Sequence, residues 1–204
     1  MEYLVTMTTH VPDGTPEEEV NQVRAREAAH SRELAAQGHL LRLFRPPLAP
    51  GAWRTLGLFA AGDADRLEEV LASMPLRVWR TDQVTELAPH PNDPGPGTGS
   101  TGSTGPRGAT EFLTTFTITI PDGPPDQAVK DAEAGEARRA DELAGQGHLE
   151  RLWALGPGRN LGLWRARDQA EMQAILKSLP LDPWMDVETT PLTEHPSDPA
   201  SATT

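Results

Sequence analysis

An internal repeat constrains this chain more than any other feature of its sequence. The segment ELAAQGHLLRL, from Glu33 to Leu43, recurs as ELAGQGHLERL, from Glu142 to Leu152. The segment EYLVTMTTHVPDG from Glu2 likewise matches EFLTTFTITIPDG from Glu111. Further pairs are Leu56-Gly57-Leu58 with Leu161-Gly162-Leu163, Glu27 with Glu136, and His90-Pro91 with His195-Pro196. A pattern that repeats over its whole length indicates one fold encoded twice.

The hydrophobic periodicity predicts the same six elements in each copy. Alternating residues predict a first strand, a 3–4 spacing predicts a long helix, and Gly38 or Gly147 ends that helix in the left-handed conformation. The second strand of copy one is expected to place Leu41 and Leu43 on one face and Leu40 and Phe44 on the other. The order β-α-β-β-α-β is the ferredoxin-like arrangement and predicts an α+β fold.

Composition divides the 204 residues into two small domains joined by a polar segment. The predicted boundaries are domain 1 at 1–94, a flexible Gly/Ser-rich linker at 95–109, domain 2 at 110–199 and a disordered tail at 200–204. A linker of this length would let the two copies pair side by side like the subunits of a dimer. We therefore expect an intramolecular pseudo-dimer resembling a dimeric α/β barrel.

Charge and residue usage exclude several functional classes. The formal net charge of −12 argues against nucleic acid or an anionic membrane as a partner. The absence of cysteine excludes thiolate catalysis and is compatible with a reducing cytoplasm. The sequence contains neither a long apolar run nor a signal-peptide pattern, so a cytoplasmic protein is expected.

Two glutamates occupy unexpected positions in the helical pattern. Glu27 lies on the apolar stripe of the first helix between Val23 and Leu34, and Glu136 repeats this position in copy two. A carboxyl group that faces a sheet has a raised pKa, which suits a general base. The alternative is that both glutamates lie at the edge of the stripe, solvated or paired with Arg24, Arg26 or Arg139.

The remaining candidate residues give weaker signals. His39 and His148 begin the second strand and are candidates for the mouth of a pocket, although a surface role is equally compatible with the pattern. His90 and His195 are interpreted as structural ends of the last strand. The tryptophans are interpreted as core residues, one or two of which could line a pocket. No histidines have metal-ligand spacing, so no metal site is predicted.

With these residues identified, both copies resemble the muconolactone Δ-isomerase family. The shared pattern is a helix Glu followed by L-x-x-x-G (Glu27, Leu34, Gly38), then R-L-F or R-L-W from Arg42 and Arg151, and a closing H-P. The segment L-P-L-x-P-W-M-D, from Leu179 to Asp186, is complete only in copy two, where copy one has VWRT from Val78. Arg24 and Arg45 are replaced by Glu133 and Ala154, while Asn160 stands where copy one has Thr55.

The resemblance implies a proton shift that needs no cofactor. Glu27 and Glu136 would be the bases that move a double bond in a small enolisable lactone. The residues expected to bind the substrate are Arg24, His39, Arg45, Trp79, His148, Asn160 and Trp184. The division of motifs between the copies predicts unequal pockets, with Glu27 serving an anionic substrate together with Arg24, and Glu136 a neutral one.

Two other functions are compatible with the sequence. A cyclase or tailoring enzyme acting on a polyketide-like lactone would use the same residues, and a non-catalytic binding or assembly module would retain the fold without the chemistry. The expected partner is a small molecule, with neither nucleic acid nor membrane, and further homo-oligomerisation stays open.

Overall fold

The computed structural model describes residues 1–96, 108–121 and 125–203. Most of the predicted linker therefore lies outside the described residues. The chain divides into two compact units, which are Met1–Leu87 with Thr193–Thr204 (unit 1) and Ala88–Leu192 (unit 2). Each unit thus contains most of one repeat together with the last residues of the other repeat.

Unit 1 has the element order that the sequence predicts. Its elements are β1 (Glu2–Thr9), α1 (Glu17–Ala36), β2 (Leu40–Arg45), β3 (Arg54–Ala60), α2 (Ala64–Ser73), a 3-10 helix (Pro75–Trp79) and β4 (Arg80–Pro89). The antiparallel strand order is β4-β1-β3-β2. The outer strand β2 also pairs with the end of the last strand of the chain, β8 (Met185–Glu194), through Phe44 with Glu194 and Arg45 with Thr193.

Unit 2 repeats this arrangement. Its elements are β5 (Thr110–Ile118), α3 (Asp126–Gly145), β6 (Leu149–Gly156), β7 (Arg159–Ala166), α4 (Gln169–Lys177), a 3-10 helix (Asp182–Trp184) and β8 (Met185–Glu194). The antiparallel order is β8-β5-β7-β6, and the end of β4 pairs with β6 through Ala88 and Pro89. The α+β fold and its element order are confirmed, whereas the pseudo-dimer stays a prediction.

The long helices end where the sequence predicts. Gly38 has φ +77° and Gly147 has φ +75°. The amide of Gly38 bonds to the carbonyl of Ala35 at 3.0 Å, and the next amide, of His39, bonds to Leu34 at 2.9 Å. This pair of bonds is the Schellman arrangement, which requires the left-handed conformation that glycine adopts at little cost. It reverses the chain so that the following strand packs beneath its own helix.

The repeated Leu-Gly-Leu segment has a packing explanation. A Cβ atom on Gly162 would lie 2.2 Å from Nε1 of Trp164, and one on Gly57 would lie 2.4 Å from the ring of Phe59. Trp164 and Phe59 are among the most buried side chains of their units. Each glycine therefore makes room for the large aromatic ring two residues further along the same strand.

The end of the chain differs from its prediction. The sequence predicts a disordered tail at 200–204; Pro199–Thr203 forms a 3-10 helix, and Thr204 lies outside the described residues. This helix follows Asp198, whose side chain is 3% exposed and whose carbonyl accepts the amide of Ser201 at 3.0 Å. The buried carboxylate fixes the start of the segment, a contact that composition alone does not reveal.

Candidate active sites

Each unit contains one cavity beside the glutamate of its long helix. Cavity 1, in unit 1, has a volume of about 330 Å³. Cavity 2, in unit 2, has a volume of about 320 Å³. Both volumes fall at the small end of the range for ligand pockets, which suits a compact organic molecule.

Glu27 projects from α1 into cavity 1 and is held at both carboxylate oxygens. Its Oε2 accepts the amide of Leu76 at 2.8 Å, and its Oε1 accepts Nη1 of Arg80 at 3.2 Å. Its side chain is 12% exposed. Burial raises the pKa of Glu27 above its usual value, while the Leu76 amide, Arg80 and His30 lower it and Asp82 raises it. The net shift is upward, as the sequence predicts.

The partner of Glu27 was not predicted correctly. The sequence suggests Arg24, one helical turn away, but the Arg24 guanidinium lies over the ring of Trp53 at 4.3 Å. The ion pair is made by Arg80, at the start of β4. A tryptophan face attracts a cation, so Arg24 remains at the cavity wall with its charge available to a ligand.

Arg80 is held in place by a second carboxylate, that of Asp82. Its Nε and Nη2 bind the two carboxylate oxygens of Asp82 at 2.6 and 2.9 Å, and Arg77 also contacts Asp82. The side chains of Arg80 and Asp82 are each 2% exposed. Asp82 therefore compensates the buried arginine, which leaves the carboxylate of Glu27 only partly neutralised.

Glu136 has the same position in cavity 2, but among the described residues it has no cationic partner. Its Oε2 accepts the amide of Leu181 at 3.0 Å. Burial raises the pKa of Glu136, the Leu181 amide lowers it, and the negative charge of Asp182 raises it further. From the sequence, Glu133, one helical turn away, would either shift the pKa of one glutamate or point to solvent; Glu133 is exposed, and the negative charge that raises the pKa of Glu136 is that of Asp182.

The two cavities differ most in charge. Cavity 1 has Arg24, Arg45 and Arg80 in its lining. The corresponding residues of cavity 2 are Glu133, Ala154 and Met185, and Glu133 and Met185 line that cavity. Its wall also carries the aromatic rings of Phe116 and Trp164. The equivalent residues of copy one are Met7, which lines cavity 1, and Phe59, which does not.

A histidine closes each cavity, and each comes from the other repeat of the sequence. His195 lines cavity 1 and His90 lines cavity 2. Each begins a tight turn, in which the His195 carbonyl accepts the amide of Asp198 at 2.9 Å and the His90 carbonyl accepts that of Asp93 at 3.0 Å. The prediction that these histidines only end a strand was therefore incomplete.

The aspartate of each turn anchors it to a strand. Asp198 accepts Nη2 of Arg42 at 3.0 Å and the amide of Leu43 at 3.0 Å. Asp93 accepts Nη2 of Arg151 at 3.2 Å and the amide of Leu152 at 2.8 Å. The repeated sequence is therefore His-Pro-x-Asp. Its aspartate anchors the turn to a strand and so keeps its histidine at the cavity wall.

The structure groups only some of the predicted site residues. Glu27, Arg24 and Arg45 line cavity 1, and Glu136 and Asn160 line cavity 2. Four predicted residues line neither cavity, namely His39, His148, Trp79 and Trp184. Nδ1 of His39 instead lies 3.2 Å from the carbonyl of Ala60, and Nδ1 of His148 lies 2.9 Å from that of Arg165. These histidines thus satisfy backbone carbonyls beside their strands.

Arg80, His90 and His195 line the cavities but are not among the site residues expected from the sequence. Arg80 is the residue that breaks the W-M-D segment in copy one, and that departure was itself the available signal. The two histidines were visible as part of the repeated His-Pro-x-Asp. Within the described residues, no group of three acidic or histidine side chains could hold a metal ion. In the same ranges, no helix is both long and apolar enough to cross a membrane.

Comparison with known proteins agrees with this duplicated arrangement. A model of the muconolactone delta-isomerase family matches residues 1–93 and again 110–198. A muconolactone delta-isomerase of Cupriavidus pinatubonensis is 32% identical over 92 residues, which are 45% of this chain and 97% of that protein. One from Acinetobacter lwoffii is 32% identical over 87 residues, 42% of this chain and 91% of its own.

A similar fold occurs in a solved structure of chlorite dismutase from Candidatus Nitrospira defluvii. It superposes with a TM-score of 0.58 at 12% identity and covers 94% of this chain and 91% of that one. At this identity the likeness concerns the fold alone.

Proposed function

The chain belongs to the muconolactone delta-isomerase family, and on that premise we propose that it moves a double bond in a small lactone by carboxylate acid–base catalysis in cavity 1, without a cofactor. The observation that carries the proposal is the environment of Glu27. A base must be ionised at the working pH and still bind a proton strongly. Burial in cavity 1 raises the pKa of Glu27 towards that condition, while Arg80 and the Leu76 amide keep its carboxylate oriented.

The reaction needs one group that can take a proton and return it. The Glu27 carboxylate removes a proton from the carbon next to the lactone carbonyl, and the electron pair moves onto the carbonyl oxygen to give an enolate. The neutral Glu27 then returns the proton to the far carbon of the conjugated system. The double bond has shifted, all atoms are conserved, and Glu27 is again a carboxylate.

Substrate charge is recognised by the arginines at the cavity wall. Arg24 and Arg45 both line cavity 1, and each would bind a substrate carboxylate. A hydrogen bond to a charged group is worth about 1.5–3 kcal/mol. A lactone that carries a carboxylate side chain would therefore be oriented with its ring towards Glu27.

Cavity 2 suits a different ligand. It has an acidic Glu133 in place of Arg24 and a methionine in place of Arg80. An anion would be repelled there, whereas a neutral ring would pack against Phe116 and Trp164. This aromatic wall is the observation that favours the second candidate function, a cyclisation or tailoring reaction on a neutral enolisable ring with Glu136 as the base.

The test is a pair of matched variants, Glu27→Gln and Glu136→Gln, assayed on a muconolactone-type anionic lactone. Removal of a general base costs about 10²–10⁴ in turnover, so we expect that loss for Glu27→Gln and little change for Glu136→Gln. Full turnover by Glu27→Gln would overturn the assignment of cavity 1. Equal half-losses in both variants would instead mean two equivalent sites. Absence of turnover in the unmodified protein would favour a binding or assembly module.

A further inference from the structure

The two histidine turns hold their imidazole rings in one defined tautomer. The amide of Ser197 donates to Nδ1 of His195 at 3.1 Å, and the amide of Asn92 donates to Nδ1 of His90 at 3.1 Å. A nitrogen that accepts a backbone N–H cannot carry a proton of its own. In each neutral ring the proton therefore lies on Nε2.

The surroundings of the rings keep them neutral. Burial lowers the pKa of His195 to about 4, and the positive charge of Arg45 lowers it as well, against the opposite effect of Asp198. Burial also lowers the pKa of His90, with Asp93 acting in the opposite direction. At neutral pH both rings are uncharged, so each is a hydrogen-bond donor through Nε2 and an acceptor through Nδ1.

The Nε2 atom of each ring is a donor that the surrounding protein leaves unused. Among the described residues, neither Nε2 forms a hydrogen bond. In the described part of the chain, no fully buried side-chain nitrogen or oxygen is without a partner. Each unused Nε2 is therefore partly exposed, and both rings line their cavities, which makes this donor a candidate partner for a ligand.

We propose that His195 is a further catalytic residue, which donates the hydrogen bond of its neutral Nε2–H to the lactone carbonyl oxygen as that oxygen becomes an enolate. This inference rests on the proposed function of cavity 1. While Glu27 removes the carbon-bound proton, charge develops on the carbonyl oxygen, and a preorganised donor at that position lowers the barrier. The proton of His195 stays on Nε2 throughout, so no additional acid is required. His90 performs the same task for a neutral ring in cavity 2.

A neutral donor is better suited to this position than a charged one. An imidazolium at His195 would form an ion pair with a substrate carboxylate and would stabilise the ground state. A neutral ring interacts weakly with the carbonyl and more strongly with the enolate, so its contribution is made mostly in the transition state.

Two substitutions separate the donor from the structural contact. In His195→Gln the side-chain amide extends to the Nε2 position and can donate into cavity 1. In His195→Asn the side chain reaches only the Nδ1 position, where it can accept the Ser197 amide but cannot reach the ligand. We expect His195→Gln to stay within about tenfold of the normal kcat and His195→Asn to lose about 10²–10³. His10→Asn, at an exposed histidine, is the control and should be unaffected.

A purely structural role gives the reverse result, with His195→Asn active and His195→Gln impaired, and this outcome would overturn the proposal. The proposed function fails separately, if Glu27→Gln keeps full turnover. A measurement without substrate completes the test. Nitrogen-15 chemical shifts of the full chain should show His195 and His90 as neutral Nε2–H tautomers at pH 7. Protonated rings or Nδ1–H tautomers would also overturn it.

Discussion

Arg80 binds Glu27 and Asp82 at once, with its Nη1 3.2 Å from Oε1 of Glu27 and its Nε 2.6 Å from Oδ1 of Asp82. The arginine is shared between a carboxylate that lines cavity 1 and one that lies beneath it. In copy two Met185 and Val187 occupy the corresponding positions. Both members of the charged pair are thus apolar residues in copy two. The residues of copy two therefore suggest the substitutions that test the pair in copy one.

The first prediction concerns the stability of this charged group. Arg80→Met should lower the free energy of unfolding by about 3–5 kcal/mol, because it leaves the buried Glu27 without its cation and Asp82 with Arg77 alone. The double variant Arg80→Met/Asp82→Val reproduces the residues of copy two and should recover most of that loss. Urea denaturation measures both. A double variant as unstable as the single one would show that Arg80 stabilises the fold through something other than charge.

The second prediction concerns the pH dependence of turnover. Arg80 lowers the pKa of Glu27, so its removal in the more stable double variant raises that pKa, although the loss of Asp82 offsets part of the change. The acidic limb of the kcat/KM profile reports ionisation of the base and should move to higher pH. The matched control Arg32→Ala, on the exposed face of α1, should leave the limb in place.

The third prediction concerns Glu136 and stability. Its raised pKa means that the folded chain binds this proton more tightly than the unfolded chain. The resulting stabilisation is complete below the ordinary value of 4.5 and is lost as the pH rises through the raised value. Glu136→Gln should therefore be increasingly more stable than the unmodified protein between pH 4 and pH 7. The difference should be absent in the exposed control Glu133→Gln. A constant difference across this range would contradict the buried environment.

The fourth prediction concerns Arg45. Arg45→Ala, which introduces the residue of copy two, should raise KM for an anionic lactone by about 10–100-fold because one charged hydrogen bond is lost. The kcat value should change little if Arg45 binds ground state and transition state equally. The neutral methyl ester of the same lactone should show no difference between the two proteins. An equal KM change for the ester would mean that Arg45 shapes the cavity instead of binding charge.

The fifth prediction concerns the glycine beneath Trp164. A Cβ at position 162 would lie 2.2 Å from Trp164 and 2.9 Å from Oγ1 of Thr114, so Gly162→Ala should destabilise the protein by about 1–3 kcal/mol. Gly145→Ala is the matched control, because nothing lies within 4 Å of the added carbon. It sits at the end of α3 and should be neutral or slightly stabilising. Thermal melts of the two variants measure the difference, and equal melting temperatures would contradict the prediction.

Much of the fold could be predicted because it depends on local periodicity. The predicted order of strands and helices is present in both units, and Gly38 and Gly147 end their helices as expected. The alternation predicted for β2 fails at a bulge between Leu40 and Arg42. The extra residue lets Leu40 and Leu43 both be buried, although an odd spacing should place them on opposite faces.

Of each candidate site, the sequence predicted the glutamate but not the residues that approach it from other elements. Glu27 and Glu136 were identified because burial of a charge contradicts the pattern of their own helix. Arg80 and His195 approach cavity 1 from other elements, and His195 lies more than a hundred residues from Glu27 in the sequence. Their roles depend on which side chains meet in space, and the spacing of residues along one element carries no information about that.

The exchange of terminal turns has a consequence for the history of the chain. Cavity 1 needs the His195 turn and cavity 2 needs the His90 turn, yet each turn is encoded in the repeat that supplies the other glutamate. Deletion of either repeat would remove a wall from the cavity that remained. Either complete cavity therefore requires both repeats, although the two sequences have diverged.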